Sequence, residues 1–145
     1  MMRIYQIRDR LLQTARTHTL SNDECVALVK RYKITGVVNL WHTPDDRFYE
    51  LVNWYEQQSL PDGQIHGYVA KAAEAMASRV ATEIQYGGCV LVHCWGGRNR
   101  SGLISALALM RLEGITGAEA IAAVKAVRSG ALVNRHFVEY LEKLQ

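Results

Sequence analysis

Apolar positions along the chain follow two periods. Cys89-Val90-Leu91-Val92 and Ile34-Thr35-Gly36-Val37-Val38-Asn39-Leu40 are short, nearly continuous apolar runs, the pattern of strands covered on both faces. Ile4, Tyr5, Ile7, Leu11 and Leu12, interrupted by Arg8-Asp9-Arg10, predict one or two more short strands with an arginine-rich outer face. The helical period takes over between Ile65 and Tyr86, where Val69, Ala72, Ala73, Met76, Val80 and Ile84 share one face and Gly87-Gly88 ends the run. Ser101 to Met110 is apolar almost throughout, which predicts a buried helix closed by Gly114.

Polar punctuation sets the remaining boundaries. Ser21 with Glu24, and Thr116 with Glu119, are capping boxes that open helices over about 22–33 and 117–129, the second stopped by Gly130. Asn134 is placed to cap a last helix whose Phe137, Tyr140 and Leu141 face the core. Thr43-Pro44-Asp45-Asp46 has the cap, the proline and the acids of a helix start, so a short helix to about Val52 is expected. Asn53 to Gln58 fits either a continuation of that helix or a strand, and Ser59-Leu60-Pro61-Asp62-Gly63 is turn chemistry. Strands alternating with helices over 1–145, with no linker or repeat, predict one α/β domain: a central sheet of about four or five strands flanked by helices.

Composition changes this picture little. Hydrophobic residues make up 49% and charged residues 21%, as in a globular domain, and a net charge of +3 is too small to specify a nucleic-acid site. Three cysteines, Cys25, Cys89 and Cys94, are too few and too odd for a disulfide framework and suit a reducing compartment. Met1 to Arg10 lacks the apolar core of a signal peptide, and Leu103 to Met110 is far short of the roughly 20 apolar residues of a membrane span, so a cytoplasmic protein is expected. None of these patterns specifies an oligomeric state.

Chemistry concentrates between the apolar run ending at Val92 and the buried helix, in His93-Cys94-Trp95-Gly96-Gly97-Arg98-Asn99-Arg100-Ser101. A strand, a glycine-containing turn and a helix start can direct backbone N–H groups and the positive end of the helix dipole into one concavity, which suits an anion. Trp95, Gly96, Gly97, Arg98 and Asn99 would form that cradle, and Arg100 adds a planar fork able to grip two phosphate oxygens. Cys94 sits where the N–H groups converge, and the field that binds an anion also favours its thiolate over the thiol, whose free pKa is about 8.5. Ser101 can give its hydroxyl to that sulfur, and His93 can brace the loop by bonding backbone carbonyls. Cys89, His93 and Cys94 do not make a metal site, because alternate residues of a strand face opposite ways and no second ligand cluster exists. No cofactor is expected.

Cys94, five intervening residues and Arg100, preceded by His93 and followed by Ser101 with Gly97 between, match the H-C-x-x-G-x-x-R-[ST] signature. On those residues the chain resembles the cysteine-dependent protein tyrosine phosphatases, in particular their small dual-specificity branch. The resemblance implies hydrolysis of a phosphomonoester through a cysteinyl-phosphate, and a strand over Asn53 to Gln58. It also implies a catalytic aspartate on a loop ahead of the cysteine; Asp62, 32 residues before Cys94 in Pro61-Asp62-Gly63, is the preferred candidate, with Asp45 and Asp46 as competitors. One carboxyl can protonate the leaving oxygen and then activate water.

The implied partner is a phosphorylated protein or another phosphomonoester, with a phosphotyrosine or phosphoserine/threonine protein favoured. Arg98 at the rim is also a feature of relatives that act on phosphoinositides or inositol phosphates, and Asn99-Arg100 followed by a hydroxyl residue occurs in the RNA 5′-triphosphatase branch. A catalytically inactive phosphate-binding module and a sulfur-transferring loop cysteine are the rivals from other classes. The combination of Cys94, Arg100, Ser101 and an acid loop argues against both.

Overall fold

The computed structural model describes residues 2–144. Five strands, β1 (Tyr5–Arg8), β2 (Leu11–Thr14), β3 (Gly36–Asn39), β4 (Trp54–Gln57) and β5 (Val90–His93), form one sheet in the order β1-β2-β5-β3-β4. Only β1 runs antiparallel to its neighbour; β2, β5, β3 and β4 are mutually parallel. The apolar run that contains β5 therefore lies at the centre, paired on both sides and buried along its whole length.

Five helices cover the sheet: α1 (Asn22–Tyr32), α2 (Gly67–Gln85), α3 (Arg100–Glu113), α4 (Gly117–Val127) and α5 (Arg135–Lys143). Strand alternation splits the core in two. Val90, Val92 and Cys94 face a large cluster with α2, α3, α4 and α5, whereas Cys89 and Leu91 face a smaller one with Cys25 of α1 and Phe48. Both capping boxes form as expected, Gly114 closes α3 in the left-handed conformation, and the Asn134 side chain accepts the N–H groups of His136 and Phe137. Gly117 has no side chain because the Leu141 carbonyl occupies that space, which brings α5 close against α4. Among the described residues no helix is long and apolar enough to cross a membrane.

One element differs from expectation. In place of a helix to Val52, the segment after β3 makes a single turn of 3-10 helix, Asp46–Phe48. The Asp45 carboxylate does not serve a helix start: it is drawn inward by Thr17 Oγ1 at 2.7 Å and by Arg47 Nε and Nη2, both at 2.8 Å. Phe48 then plugs the smaller core, and the chain re-enters the sheet as β4.

Candidate active site

The site is built from the central strand outward. β5 ends at His93 and delivers Cys94, only 2% exposed, to the C-terminal edge of the parallel sheet, where α/β folds place their ligands. The loop that follows folds back against β2. Gly97 takes φ +67°, and a Cβ there would lie 2.6 Å from the Thr14 carbonyl carbon, so conformation and space both demand glycine. This turn aims the Gly97 N–H at Cys94 Sγ, 3.3 Å away, while Ser101 Oγ lies 3.4 Å from the same sulfur. The Gly97 carbonyl accepts a bond from Gln13 Nε2 at 3.1 Å, and Gln13 Oε1 accepts one from Ser105 Oγ at 2.9 Å. Gln13 and Ser105 are fully buried, so this chain of satisfied bonds fixes the loop to β2 and α3.

Above Cys94 lies a pocket of about 530 Å³. Trp95, Gly96, Arg98, Asn99 and Arg100 line it from the loop, and Asp62, Arg128 and Val133 line it from neighbouring segments. Arg100 opens α3; its Nη1 donates to the Leu60 carbonyl at 3.4 Å, whereas its Nε is buried and has no partner among the described residues. A charged donor left unsatisfied in a pocket is a strong attractor for an anion. Asn99 precedes α3 but its side chain makes no capping bond, which leaves the first N–H groups of the helix to the loop. Thiol, guanidinium fork and helix terminus thus address one concavity.

The other predicted residues divide. Trp95, 50% exposed, stands at the pocket mouth with the Arg16 guanidinium 4.2 Å from its ring centre. Asp62 is exposed at the pocket edge, its two carboxylate oxygens accepting from Asn134 Nδ2 at 2.9 Å and Asn99 Nδ2 at 3.1 Å. Asp45 is buried and bonded to Thr17 and Arg47; burial alone would raise its pKa, but the Arg47 fork and the Thr17 hydroxyl outweigh it and hold the carboxyl at about 2. Neither Asp45 nor Asp46 lines the pocket.

His93 does not line the pocket. It lies in register with Thr14 and Asn39, its ring 6.4 Å from that of His18, and alternation along the strand turns it to the face opposite Cys94. Neither ring nitrogen has a hydrogen-bond partner among the described residues, and burial, with His18 alongside, pushes its pKa down to about 3, so the ring is neutral at physiological pH. Cys89 lies on that same far face, and burial pushes its thiol up to about 11. It therefore cannot meet Cys94 as a disulfide partner without breaking the strand.

Three residues join the site that the sequence did not single out for it. Gln13 carried a usable signal, a polar residue inside the buried run Leu11-Leu12-Gln13. Arg128 carried none, yet it reaches the Gly97 carbonyl with Nε at 3.4 Å and lies with its guanidinium 4.7 Å from the Tyr5 ring centre. Asn134 was legible only as a helix cap, whereas its amide also holds Asp62.

Comparison with known proteins agrees with this geometry. Human DUSP28 superposes with a TM-score of 0.81 at 21% identity, covering 97% of this chain and 90% of that one. PTPMT1 in complex with PI(5)P superposes at 0.79 with 19% identity, covering 97% and 92%. At such identities the likeness speaks for the fold. In sequence, dual specificity protein phosphatase 1 of Arabidopsis thaliana is 28% identical over an alignment of 123 residues that covers 81% of this chain and 59% of that protein. The chain thus spans less than two thirds of its relative's length. The model of the dual specificity phosphatase catalytic domain matches residues 18–145, and the chain belongs to that family.

Proposed function

We propose that the protein hydrolyses phosphomonoesters, with phosphorylated tyrosine or serine/threonine side chains of proteins as the favoured substrates. The observation that carries this reading is the convergence on one pocket of a buried sulfur facing a loop N–H and an arginine whose buried Nε has no partner among the described residues. Cys94 Sγ attacks phosphorus; the S–P bond forms as the ester P–O bond breaks, and Asp62 gives its proton to the leaving oxygen. Asp62 then takes a proton from water, whose oxygen displaces the sulfur and releases phosphate. Arg100, the α3 terminus and the loop N–H groups hold the three spectator oxygens and their charge. Ser101 supports the departing sulfur.

A second reading has a specific observation behind it. A Cβ on Gly130 would lie 3.7 Å from Arg128 Nη1 and 3.9 Å from Arg98 Cζ, so both guanidinium groups gather beside the pocket. Among the described residues neither forms an ion pair. Two uncompensated cations next to a phosphate site favour a substrate with more than one phosphate, such as a phosphoinositide, an inositol phosphate or a triphosphate RNA end.

Hydrolysis of a chromogenic aryl phosphate in the presence of chelator tests the first proposal. Turnover should be present in the wild type and abolished in Cys94→Ser, since a serine hydroxyl does not ionise near neutral pH. Equal rates in both would end it. A panel of phosphopeptides, phosphoinositides and triphosphate-ended RNA compared by kcat/KM then decides between the substrate readings.

A further inference from the structure

The segment between α4 and α5 grips the phosphate loop at successive residues. Leu132, buried and in the left-handed conformation at φ +53°, donates its N–H to the Arg98 carbonyl at 3.3 Å. Val133 and Asn134 donate theirs to Asn99 Oδ1 at 2.9 and 3.0 Å. A leucine held at positive φ is strained, and the contacts around it must maintain that conformation.

Two side-chain amides turn this grip toward the acid loop. Asn99 accepts the two backbone N–H groups with its oxygen and donates with its nitrogen to Asp62. Asn134 does the same from the other side: its oxygen caps α5, and its nitrogen donates to Asp62 Oδ1 and, at 3.1 Å, to the Gly63 carbonyl. Each amide thus has one end on rigid structure and the other on the Asp62 loop. The rigidity has a visible source, because α5 is anchored by buried Phe137 and Leu141 and by its close approach to Gly117. Asp62 itself is exposed and belongs to no helix or strand, so its position depends on these bonds.

We infer that Asn99 and Asn134 are positioning residues that clamp the Asp62 loop beside the phosphate pocket, so that the packing of the C-terminal helix sets where the proton donor stands. The inference rests on the reading of Asp62 as that donor. Asn99 lines the pocket itself, so Asn134, which does not, is the residue to change.

Asn134→Ser keeps an oxygen that can cap α5 but lacks the amide N–H groups. Asn134→Asp is the second variant: it caps equally well and turns an acceptor toward the Asp62 carboxylate, so a folded protein is available even if the serine variant is poorly stable. Circular dichroism and thermal unfolding establish which variants are folded. kcat and KM are then measured over aryl phosphates of rising leaving-group pKa for wild type, both Asn134 variants, Asp62→Asn and the Asp62→Asn/Asn134→Ser double variant.

The clamp predicts a loss in kcat of about 10-fold for Asn134→Ser with poor leaving groups, as expected for a displaced catalytic group. That loss should fade with good leaving groups, be larger in Asn134→Asp, leave KM within about twofold, and vanish in the Asp62→Asn background. If Asp62→Asn shows leaving-group dependence while the folded Asn134 variants match the wild type, or lose the same factor on every substrate, the clamp is wrong. If Asp62→Asn itself shows none, the donor has been misassigned and the inference falls with it.

Discussion

Two neighbouring strands each lead into a loop carrying the pair Pro-Asp, and the two aspartates meet opposite fates. After β3, Asp45 in Pro44-Asp45 is 4% exposed, bonded to Thr17 and Arg47 and pinned at the edge of the smaller core. After β4, Asp62 in Pro61-Asp62 remains exposed at the rim of the phosphate pocket and is met only by neutral amides. What differs is the company. Arg47, two residues beyond Asp45, folds back as a bidentate partner, whereas Asp62 is followed by Gly63 and has no cation bonded to it among the described residues. An aspartate locked to an arginine inside the core cannot reach a substrate; one at the pocket edge can.

That contrast predicts a division of labour. The largest effect is expected at Asp62, where Asp62→Asn should lower kcat by about 10² on phosphates with poor leaving groups, less with good ones, and leave thermal stability nearly unchanged. A rate loss independent of leaving group would dissolve the contrast. Asp45→Asn should do the reverse, acting on stability with little change in kcat. With its folded pKa depressed from 3.8 to about 2, Asp45 contributes roughly 2 kcal/mol that is fully present above pH ~4 and is lost as pH falls toward 2. Urea titrations across that range should show the decline in wild type and a flatter profile in Asp45→Asn. The smallest effect belongs to Asp46→Asn, which removes an exposed charge remote from the pocket lining and should change both stability and rate by under about 0.5 kcal/mol. A leaving-group-dependent loss in that variant would reassign the acid.

The contrast also explains what the sequence could reveal. β5, the glycine turn and α3 were legible because each is specified locally: an apolar run, two glycines, then a buried helix beginning at Arg100. The same holds for both capping boxes and for Asn134 as a cap. The segment after β3 misled because Thr43-Pro44-Asp45-Asp46 has the form of a helix start, while the decisive bond, Thr17 to Asp45, spans 28 residues. Distance along the chain likewise hid Gln13 and Arg128, which reach Gly97 across 84 and 31 residues, and the partnership of Asn134 with Asp62 across 72. His93 lay on the expected strand, but strand alternation carries it to the face away from the phosphate loop.

The central claim is that Cys94 carries the phosphoryl group between two half-reactions, and trapping it is the most direct test. Wild type and Asp62→Asn would be denatured rapidly during turnover of an aryl phosphate with a good leaving group, then digested and mapped by mass spectrometry. The account predicts phosphate on the Cys94 peptide, with more in Asp62→Asn because water activation is slowed, and none in Cys94→Ser. Sustained turnover in Cys94→Ser, or phosphate on any other residue of an active enzyme, would contradict it.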